Sequence, residues 1–153
     1  MIAKTIAIAS ALVLITSPAL TQEKKIKRSD LPPAVQKAVV SESRGAKIRG
    51  FAEEKEKGQT YYETELLVDG HSKDVLMDKD GTVLEVEEQI ALNKLLPEVK
   101  DGLKEKAGKA KILQVETLTK HGQLMAYEAQ VLSHGKKSEV QVGPDGKPLA
   151  HEE

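Results

Sequence analysis

Closely spaced acidic residues are the first candidates for chemistry in this sequence. The segment Asp78-Lys79-Asp80-Gly81 has the opening of a calcium loop, in which carboxylate oxygens at alternate positions hold the ion. A complete EF-hand loop also needs a glutamate at its twelfth position, where Gln89 stands. Asp-Gly is also a preferred pair in tight turns. We therefore interpret the segment as a turn and predict no metal site.

Histidine and cysteine are the residues expected in a zinc site. The chain has no cysteine, and none of its histidines has a second histidine at a ligand-like spacing. Two of them lie at corresponding hairpin corners, one residue out of register, and one lies next to the acidic end of the sequence. We interpret them as surface residues, most of them in turns. The four are His71, His121, His134 and His151.

Two aromatic–acid pairs, Tyr62-Glu63 and Tyr127-Glu128, recur in the sequence. Neighbouring side chains on a strand point to opposite faces, so neither pair forms one catalytic unit. No nucleophile-elbow or phosphate-loop motif is present, and a cysteine nucleophile is excluded. We predict no enzymatic activity and no cofactor.

The exposed side chains of these two strands are predicted to contact a partner. In the alternative interpretation these strands contact no partner: the tyrosine of each aromatic–acid pair faces the core and the glutamate faces solvent. The predicted contact residues are Tyr61, Glu63, Glu65, Glu128 and Gln130.

The positions of proline, glycine and apolar residues predict the helices, strands and turns that hold these residues. Leu31-Pro32-Pro33 predicts a helix start, because the first turn of a helix tolerates the missing proline N–H. An apolar stripe including Val35 and Val39 follows, and Gly45 predicts the helix end. Gln22 to Asp30 is predicted to be a mobile polar entry segment.

Strand-like alternation follows the helix. Tyr62, Thr64, Leu66 and Val68 predict one inward strand face, and Asp69-Gly70 predicts a tight hairpin. Asp80-Gly81 predicts a second turn before a last strand from Val83 to Val86. Lys147-Pro148-Leu149 predicts an edge or a tail, because proline cannot donate to a strand ladder.

The whole pattern recurs about 64 residues later, which indicates an internal duplication. Leu31, Pro33 and Val35 match Leu95, Pro97 and Val99, and Tyr62, Gly70, Val75 and Asp80 match Tyr127, Gly135, Val140 and Asp145. Gly102 replaces Ala38 in the second helix, a cost of about 1 kcal/mol in a helix interior. We predict an α+β fold of two tandem repeats packed as one body. Each repeat is a helix followed by an antiparallel β-meander of three to four strands, over residues 22–86 and 87–150.

Residues 1–21 are predicted to be a signal peptide, because Lys4 precedes a short apolar run and small residues that suit cleavage. Cleavage after Ala19 or Thr21 stays open, and an uncleaved N-terminal anchor is the alternative. The rest of the chain carries 22 basic and 24 acidic residues, a balance unlike that of a nucleic-acid-binding surface. Four aromatic residues are too few for base stacking. We predict a periplasmic or secreted protein, with no stable membrane insertion after cleavage and no nucleic-acid partner.

The chain resembles the PepSY domain superfamily, and more closely its tandem β-lactamase-inhibitor-like, PepSY-like proteins. The resemblance extends over roughly residues 26–150 and rests on Leu31, Pro33, Val35, Tyr62, Glu63, Gly70, Val75, Asp80, Gly81 and their second-copy counterparts. It implies two PepSY-like repeats, an envelope or extracellular location, and binding instead of catalysis. PepSY modules accompany secreted peptidases and are thought to restrain them.

Together these observations predict a non-catalytic exported module that recognises a protein or peptide partner in the cell envelope, with modulation of an envelope peptidase as its role. The alternative is a periplasmic protein that binds a small ligand or a divalent cation through the acidic corners near Asp69, Asp78 and Asp80.

Overall fold

The computed structural model of the chain describes residues 22–151 and residue 153, which form one eight-stranded sheet and two α-helices. The strands are β1 (Gln22–Ile26), β2 (Lys47–Glu56), β3 (Gln59–Val68), β4 (His71–Met77), β5 (Val83–Gln89), β6 (Lys111–Lys120), β7 (Gln123–Ser133) and β8 (Lys136–Val142). Helix α1 (Pro33–Glu42) connects β1 to β2, and helix α2 (Pro97–Ala107) connects β5 to β6. A single 3-10 turn precedes each helix, at Arg28–Asp30 and at Leu92–Lys94. In this part of the chain no helix is both long and apolar enough to cross a membrane.

Every strand pairs antiparallel with its neighbour in sequence, so the sheet order runs from β1 to β8. Two-residue turns close four of the hairpins, and in each turn both residues have positive φ. Such turns match the right-handed twist of the flanking strands. The predicted Asp69-Gly70 hairpin is confirmed. The four turns are Lys57-Gly58, Asp69-Gly70, His121-Gly122 and His134-Gly135.

Both helices begin at a proline and pack on the same face of the sheet. Helix α1 starts at Pro33 and buries Val35 and Val39, as the apolar spacing predicts. Helix α2 starts at Pro97 and buries Val99 and Leu103. Under α1 lies a first core cluster of Leu31, Val35, Val39, Phe51, Leu66, Val75 and Met77. Under α2 lies a second cluster of Leu95, Val99, Leu103, Val115, Ala129, Val131 and Val142.

The segment after β8 packs against α2 at two glycines. A side chain on Gly102 would clash with the carbonyl oxygen of Gly146, and one on Gly146 would clash with the carbonyl oxygen of Glu98. Gly146 also has a φ of 76°, which favours glycine. The glycine that weakens α2 intrinsically is therefore the residue that lets this segment approach the helix.

The predicted fold class, two tandem repeats of a helix followed by a β-meander, is wrong. The described residues form one continuous antiparallel sheet carrying two helices. The reason is β5, which pairs with β4 on one side and with β6 on the other, so no break in the ladder separates two meanders. The last strand predicted for the first repeat is thus an interior strand of a single sheet.

The entry segment also differs from the prediction. Instead of being mobile, Gln22–Ile26 forms β1, which pairs with β2 from Gln22 opposite Lys55 to Ile26 opposite Phe51. The predicted boundary between residues 86 and 87 falls inside β5, and the division into two domains stays a prediction. The predicted signal peptide, residues 1–21, lies outside the described residues.

Candidate functional site

The two faces of the sheet differ in what covers them. Residues directly opposite each other on paired strands share a face. Thr64 lies opposite Val75, and Val75 lies opposite Val86, on the face that the helices cover. Glu65 lies opposite Asp74, and Asp74 opposite Glu87, on the other face. Neither helix packs on this second face, which we call the open face.

The open face is strongly acidic. Following the strand register from β1 to β8 places carboxylates from every strand on it. These are Glu23, Glu54, Glu63, Glu65, Asp74, Glu85, Glu87, Glu116, Glu128 and Glu139.

The sheet curves so that the open face is concave. A depression of about 480 Å³ has carboxylates in its wall from both edge strands, Glu23 of β1 and Glu139 of β8, together with residues of β2 to β5. Ala52, Leu118 and Ala126 are buried, although they lie on the side away from the helices. Leu76 lines the depression among the carboxylates.

Burial and crowding raise the pKa values of two carboxyls on the open face. Burial, then a hydrogen bond shared with Glu54 and repulsion by Asp74, raise the pKa of Glu63 to about 9. Burial and repulsion from Glu128 and Glu85 raise the pKa of Glu87 to about 8. At neutral pH both carboxyls therefore hold a proton.

Asp74 lies between these two groups in the sheet. Burial, followed by repulsion from Glu116 and Glu65, raises its pKa to about 6, against an opposing effect of Arg49. Asp74 is therefore largely ionised at pH 7, and the centre of the open face combines one carboxylate with two protonated carboxyls.

Two lysines pair with acidic side chains of the open face. Lys25 Nζ lies 3.4 Å from Glu65 Oε1. Lys120 Nζ lies 3.6 Å from Glu85 Oε2 and 3.4 Å from Glu153 Oε2. Among residues 22–151 and 153, no basic group lies within ion-pair distance of Glu63, Asp74 or Glu87.

A hydrogen-bonded network ties together β4, β5 and β6 on the open face. The backbone N–H of Ser72 donates to Gln89 Oε1 at 3.1 Å, and Ser72 Oγ donates to Glu116 Oε1 at 3.2 Å. Gln114 Nε2 donates to the same oxygen of Glu116 at 2.6 Å. Glu116 is thus held in place by neutral donors.

A second group of hydrogen bonds holds Glu128. Gln141 Nε2 donates to Glu128 Oε2 at 2.7 Å, and the backbone N–H of Glu153 donates to Gln141 Oε1 at 2.9 Å. Burial raises the pKa of Glu128, and the hydrogen bond from Gln141 opposes that rise. Glu153 therefore contacts the β7–β8 side of the open face through its backbone.

All of the predicted contact residues lie on the open face. Glu63 and Glu65 of β3 are half-buried near its centre, and Glu128 and Gln130 of β7 lie towards β8. Tyr61 lies at the end of β3, where its hydroxyl donates to Gln59 Oε1 at 2.7 Å. Their common position does not test contact with a partner, which stays a prediction.

Sequence reasoning missed most of the acidic partners of these residues. Asp74, Glu85 and Glu87 are not among the predicted contact residues, because a hairpin turn predicts which strands pair but not that β5 continues the same sheet into β6. The available clue was the alternation of β5, in which Glu85 and Glu87 share one face.

The acidic corners Asp69, Asp78 and Asp80 lie in turns. Asp78 Oδ1 accepts hydrogen bonds from the backbone N–H groups of Asp80 and Thr82, each at 2.9 Å. These bonds, the one from Thr82 above all, lower the pKa of Asp78. Among the residues that the structure describes, no group of three or more His, Asp or Glu residues is arranged to hold a metal ion.

Several solved structures have a fold similar to that of this chain. The chain aligns with a BLIP-like protein from Bacteroides fragilis (24% identity, TM-score 0.57), covering 78% of this chain and 83% of that one. It aligns with a protein from Bacteroides eggerthii that is described as periplasmic (18% identity, TM-score 0.63, 78% and 86% covered). It also aligns with a DUF2874 family protein from Bacteroides ovatus (20% identity, TM-score 0.60, 78% and 86% covered).

At these identities the likeness shows the fold alone. The coarser part of the predicted resemblance, a β-lactamase-inhibitor-like (BLIP-like) fold, is confirmed. The PepSY resemblance stays a prediction. No protein-family model matches the sequence, and no curated protein matches it.

Proposed function

We propose that the chain is an exported, non-catalytic module that binds a protein or peptide partner on the open face of its sheet. The observation that carries this proposal is the contrast between the two faces. One face is buried under two helices, while the other is concave, half-buried and rich in carboxylates, of which Glu63, Asp74 and Glu87 have no ion-pair partner among the described residues. Uncompensated charge in a concave site is costly for the fold, and perturbed groups of this kind concentrate at functional sites.

An envelope location fits two observations. The first 21 residues have the pattern of a signal peptide, and one solved structure with this fold comes from a protein described as periplasmic. A peptidase of the envelope is the partner class that the PepSY resemblance implies.

The contact residues of the proposal are the five that the sequence indicated: Tyr61, Glu63, Glu65, Glu128 and Gln130. They belong to β3 and β7, which lie on either side of the central strands β4 to β6. A partner that touches both strands must therefore span the width of the concave face.

The test is a pulldown from envelope extract with residues 22–153 as bait, read by mass spectrometry. The test variant is Glu63→Gln/Glu65→Gln. The control is Glu88→Gln, at an exposed position of β5 on the face opposite to the open face. We expect one exported protein to be enriched by the wild-type chain and the control, and lost with the double variant. An empty pulldown, or equal capture by all three chains, contradicts the proposal.

A thermal-shift titration with calcium and zinc separates this proposal from the small-ligand or cation alternative. A ligand that binds only the folded state raises the melting temperature. We expect no shift from either cation, because the hydrogen-bonding capacity of Asp78 is already directed at backbone N–H groups. A saturable rise in Tm would favour the alternative.

A further inference from the structure

We propose that the segment of the partner that docks on the open face is basic and inserts several lysine or arginine side chains into its concavity. This inference rests on the proposed function and adds the chemical class of the partner. It is argued from charge complementarity and from the shape of the face.

Charge is unevenly distributed over this chain. The formal net charge of the whole sequence is only −1 at pH 7. Yet every strand contributes a carboxylate to the open face, so positive charge must be concentrated elsewhere. Lys104, Lys106 and Lys109, at the end of α2 and just after it, are exposed, as is Lys136 of β8, which lies on the opposite face from Glu139. The protein is thus polarised, and the open face attracts cations despite a nearly neutral total charge.

Three carboxyls at the centre of the face have no ion-pair partner of their own among the residues that the structure describes. Lys25 and Lys120 pair with Glu65 and Glu85, which leaves Glu63, Asp74 and Glu87 without an ion pair in the described part of the chain. Side chains that are half-buried and unpaired gain more from an incoming cation than fully solvated ones do. An external ammonium or guanidinium group would pair with Asp74, and by favouring the ionised form it would displace the protons that Glu63 and Glu87 hold.

The shape of the face favours organic cations over a single metal ion. The depression of about 480 Å³ is much larger than an ion needs, and the described carboxylates do not form a metal-binding group. Leu76 lines the depression among the carboxylates, and apolar surface of this kind accommodates the methylene stems of lysine and arginine. Carboxylates on the wall would then receive the charged ends.

The test uses a fluorescent decalysine peptide as the probe, with fluorescence polarisation at pH 8 in low salt. The test variant is Glu63→Gln/Asp74→Asn/Glu87→Gln. The control is Glu98→Gln/Asp101→Asn/Glu105→Gln, which makes the same three changes at exposed positions of α2. We expect saturable binding that the test variant weakens on the order of tenfold, while the control changes it less than about twofold. A decaglutamate peptide should not bind.

Equal weakening by the two triple variants would overturn the proposal, because it would mean that only the total charge matters. Absence of decalysine binding would overturn it as well. Circular dichroism of both variants checks that they are folded. The outcome is separable from that of the pulldown. A captured partner that binds the test variant as well as the wild type would retain the proposed function and reject the basic segment. Saturable decalysine binding without a captured partner would reject the proposed function and retain the preference of the open face for basic segments.

Discussion

Thr64 places a hydroxyl inside the first core cluster. The residue is fully buried between Phe51 of β2 and Val75 of β4, and its Oγ1 finds no hydrogen-bond partner among the described residues. A buried polar group without a partner costs about 1–3 kcal/mol. The corresponding position of the second cluster is Ala129, which has no polar side-chain atom.

We therefore expect Thr64→Val to stabilise the protein by about 1–2 kcal/mol, because the side chain keeps its shape and loses the unpaired hydroxyl. Chemical denaturation measures the change as a higher midpoint at constant slope. Thr60→Val, in the same strand but only half-buried, is the control and should stay within about 0.5 kcal/mol. A loss of stability in Thr64→Val would show that the hydroxyl does have a partner.

Glu87 makes stability depend on pH in a direction opposite to that of most carboxylates. Its pKa rises from 4.5 to about 8 on folding, so the folded state keeps a proton that the unfolded state has released. The contribution is complete below pH 4.5 and is lost as the pH rises through 8. Glu63, with a pKa of about 9, acts in the same sense.

The melting temperature of the wild type should therefore fall between pH 5 and pH 9. Glu87→Gln should match the wild type at pH 5. At pH 9 it should be more stable by about 1–2 kcal/mol, a figure reduced from the full shift because the side chain is partly exposed. Scanning calorimetry at both pH values measures the effect. Glu88→Gln, one residue along and exposed, should leave the pH profile unchanged, and a matching change there would refute the assignment.

At this scale the sequence predicted one part of the open face and missed another. Alternation in β3 was enough to separate buried Thr64 and Leu66 from Glu63 and Glu65. The raised pKa values were out of reach, because they arise first from burial in the folded sheet and then from neighbours on other strands such as Glu54 and Asp74. Such effects depend on register, and a single sequence does not specify register across a whole sheet.

Among the elements, α2 shows how tertiary contact overrides intrinsic propensity. Alanine at position 102 would favour an isolated helix by about 1 kcal/mol. In the folded chain its Cβ would clash with the carbonyl oxygen of Gly146. Since that atom belongs to the backbone, the clash cannot be relieved by a side-chain rotation.

We expect Gly102→Ala to destabilise the protein by about 1–3 kcal/mol in spite of its better helix propensity. Lys104→Ala, an exposed change in the same helix, should be nearly neutral. Urea denaturation followed by circular dichroism compares the two. If Gly102→Ala were the more stable protein, the segment after β8 would not be held against α2.

Proline and glycine placement predicted both helices and the Asp69-Gly70 turn, because these residues restrict the backbone locally. Strand β1 was missed for the opposite reason. Its sequence, Gln-Glu-Lys-Lys-Ile, is polar on both faces and lacks the alternation of a half-buried strand. As an edge strand it is held by backbone hydrogen bonds to β2, and such bonds require no particular side-chain pattern in its own sequence.

Considered as a whole, the molecule is one sheet with two separate hydrophobic clusters. The ladder through β4, β5 and β6 is continuous, so neither cluster can lose its strands without exposing an edge of the other half. The curvature that makes the open face concave is also a property of the whole sheet. Antiparallel sheets twist, and register irregularities in the β2–β3, β4–β5 and β6–β7 ladders bend their strands. Sequence periodicity predicts neither effect.

We expect a single cooperative unfolding transition for residues 22–153. Tyr61 and Tyr62 report on the half under α1, and Tyr127 reports on the half under α2. Fluorotyrosine labelling followed by fluorine NMR in urea should give the same midpoint for all three signals. If the midpoint of Tyr127 differed from the midpoint of Tyr61 and Tyr62, β5 would not couple the two clusters.

The pairing of every strand with its immediate neighbour in sequence has a consequence for how the native state is reached. Contacts between sequence neighbours close short loops, and chains rich in such contacts fold faster than sheets whose strands pair across long distances. A chain that becomes available N-terminus first adds its strands to the sheet in order. Each strand edge then stays unpaired only until the next strand arrives, which shortens the time available for aggregation during folding.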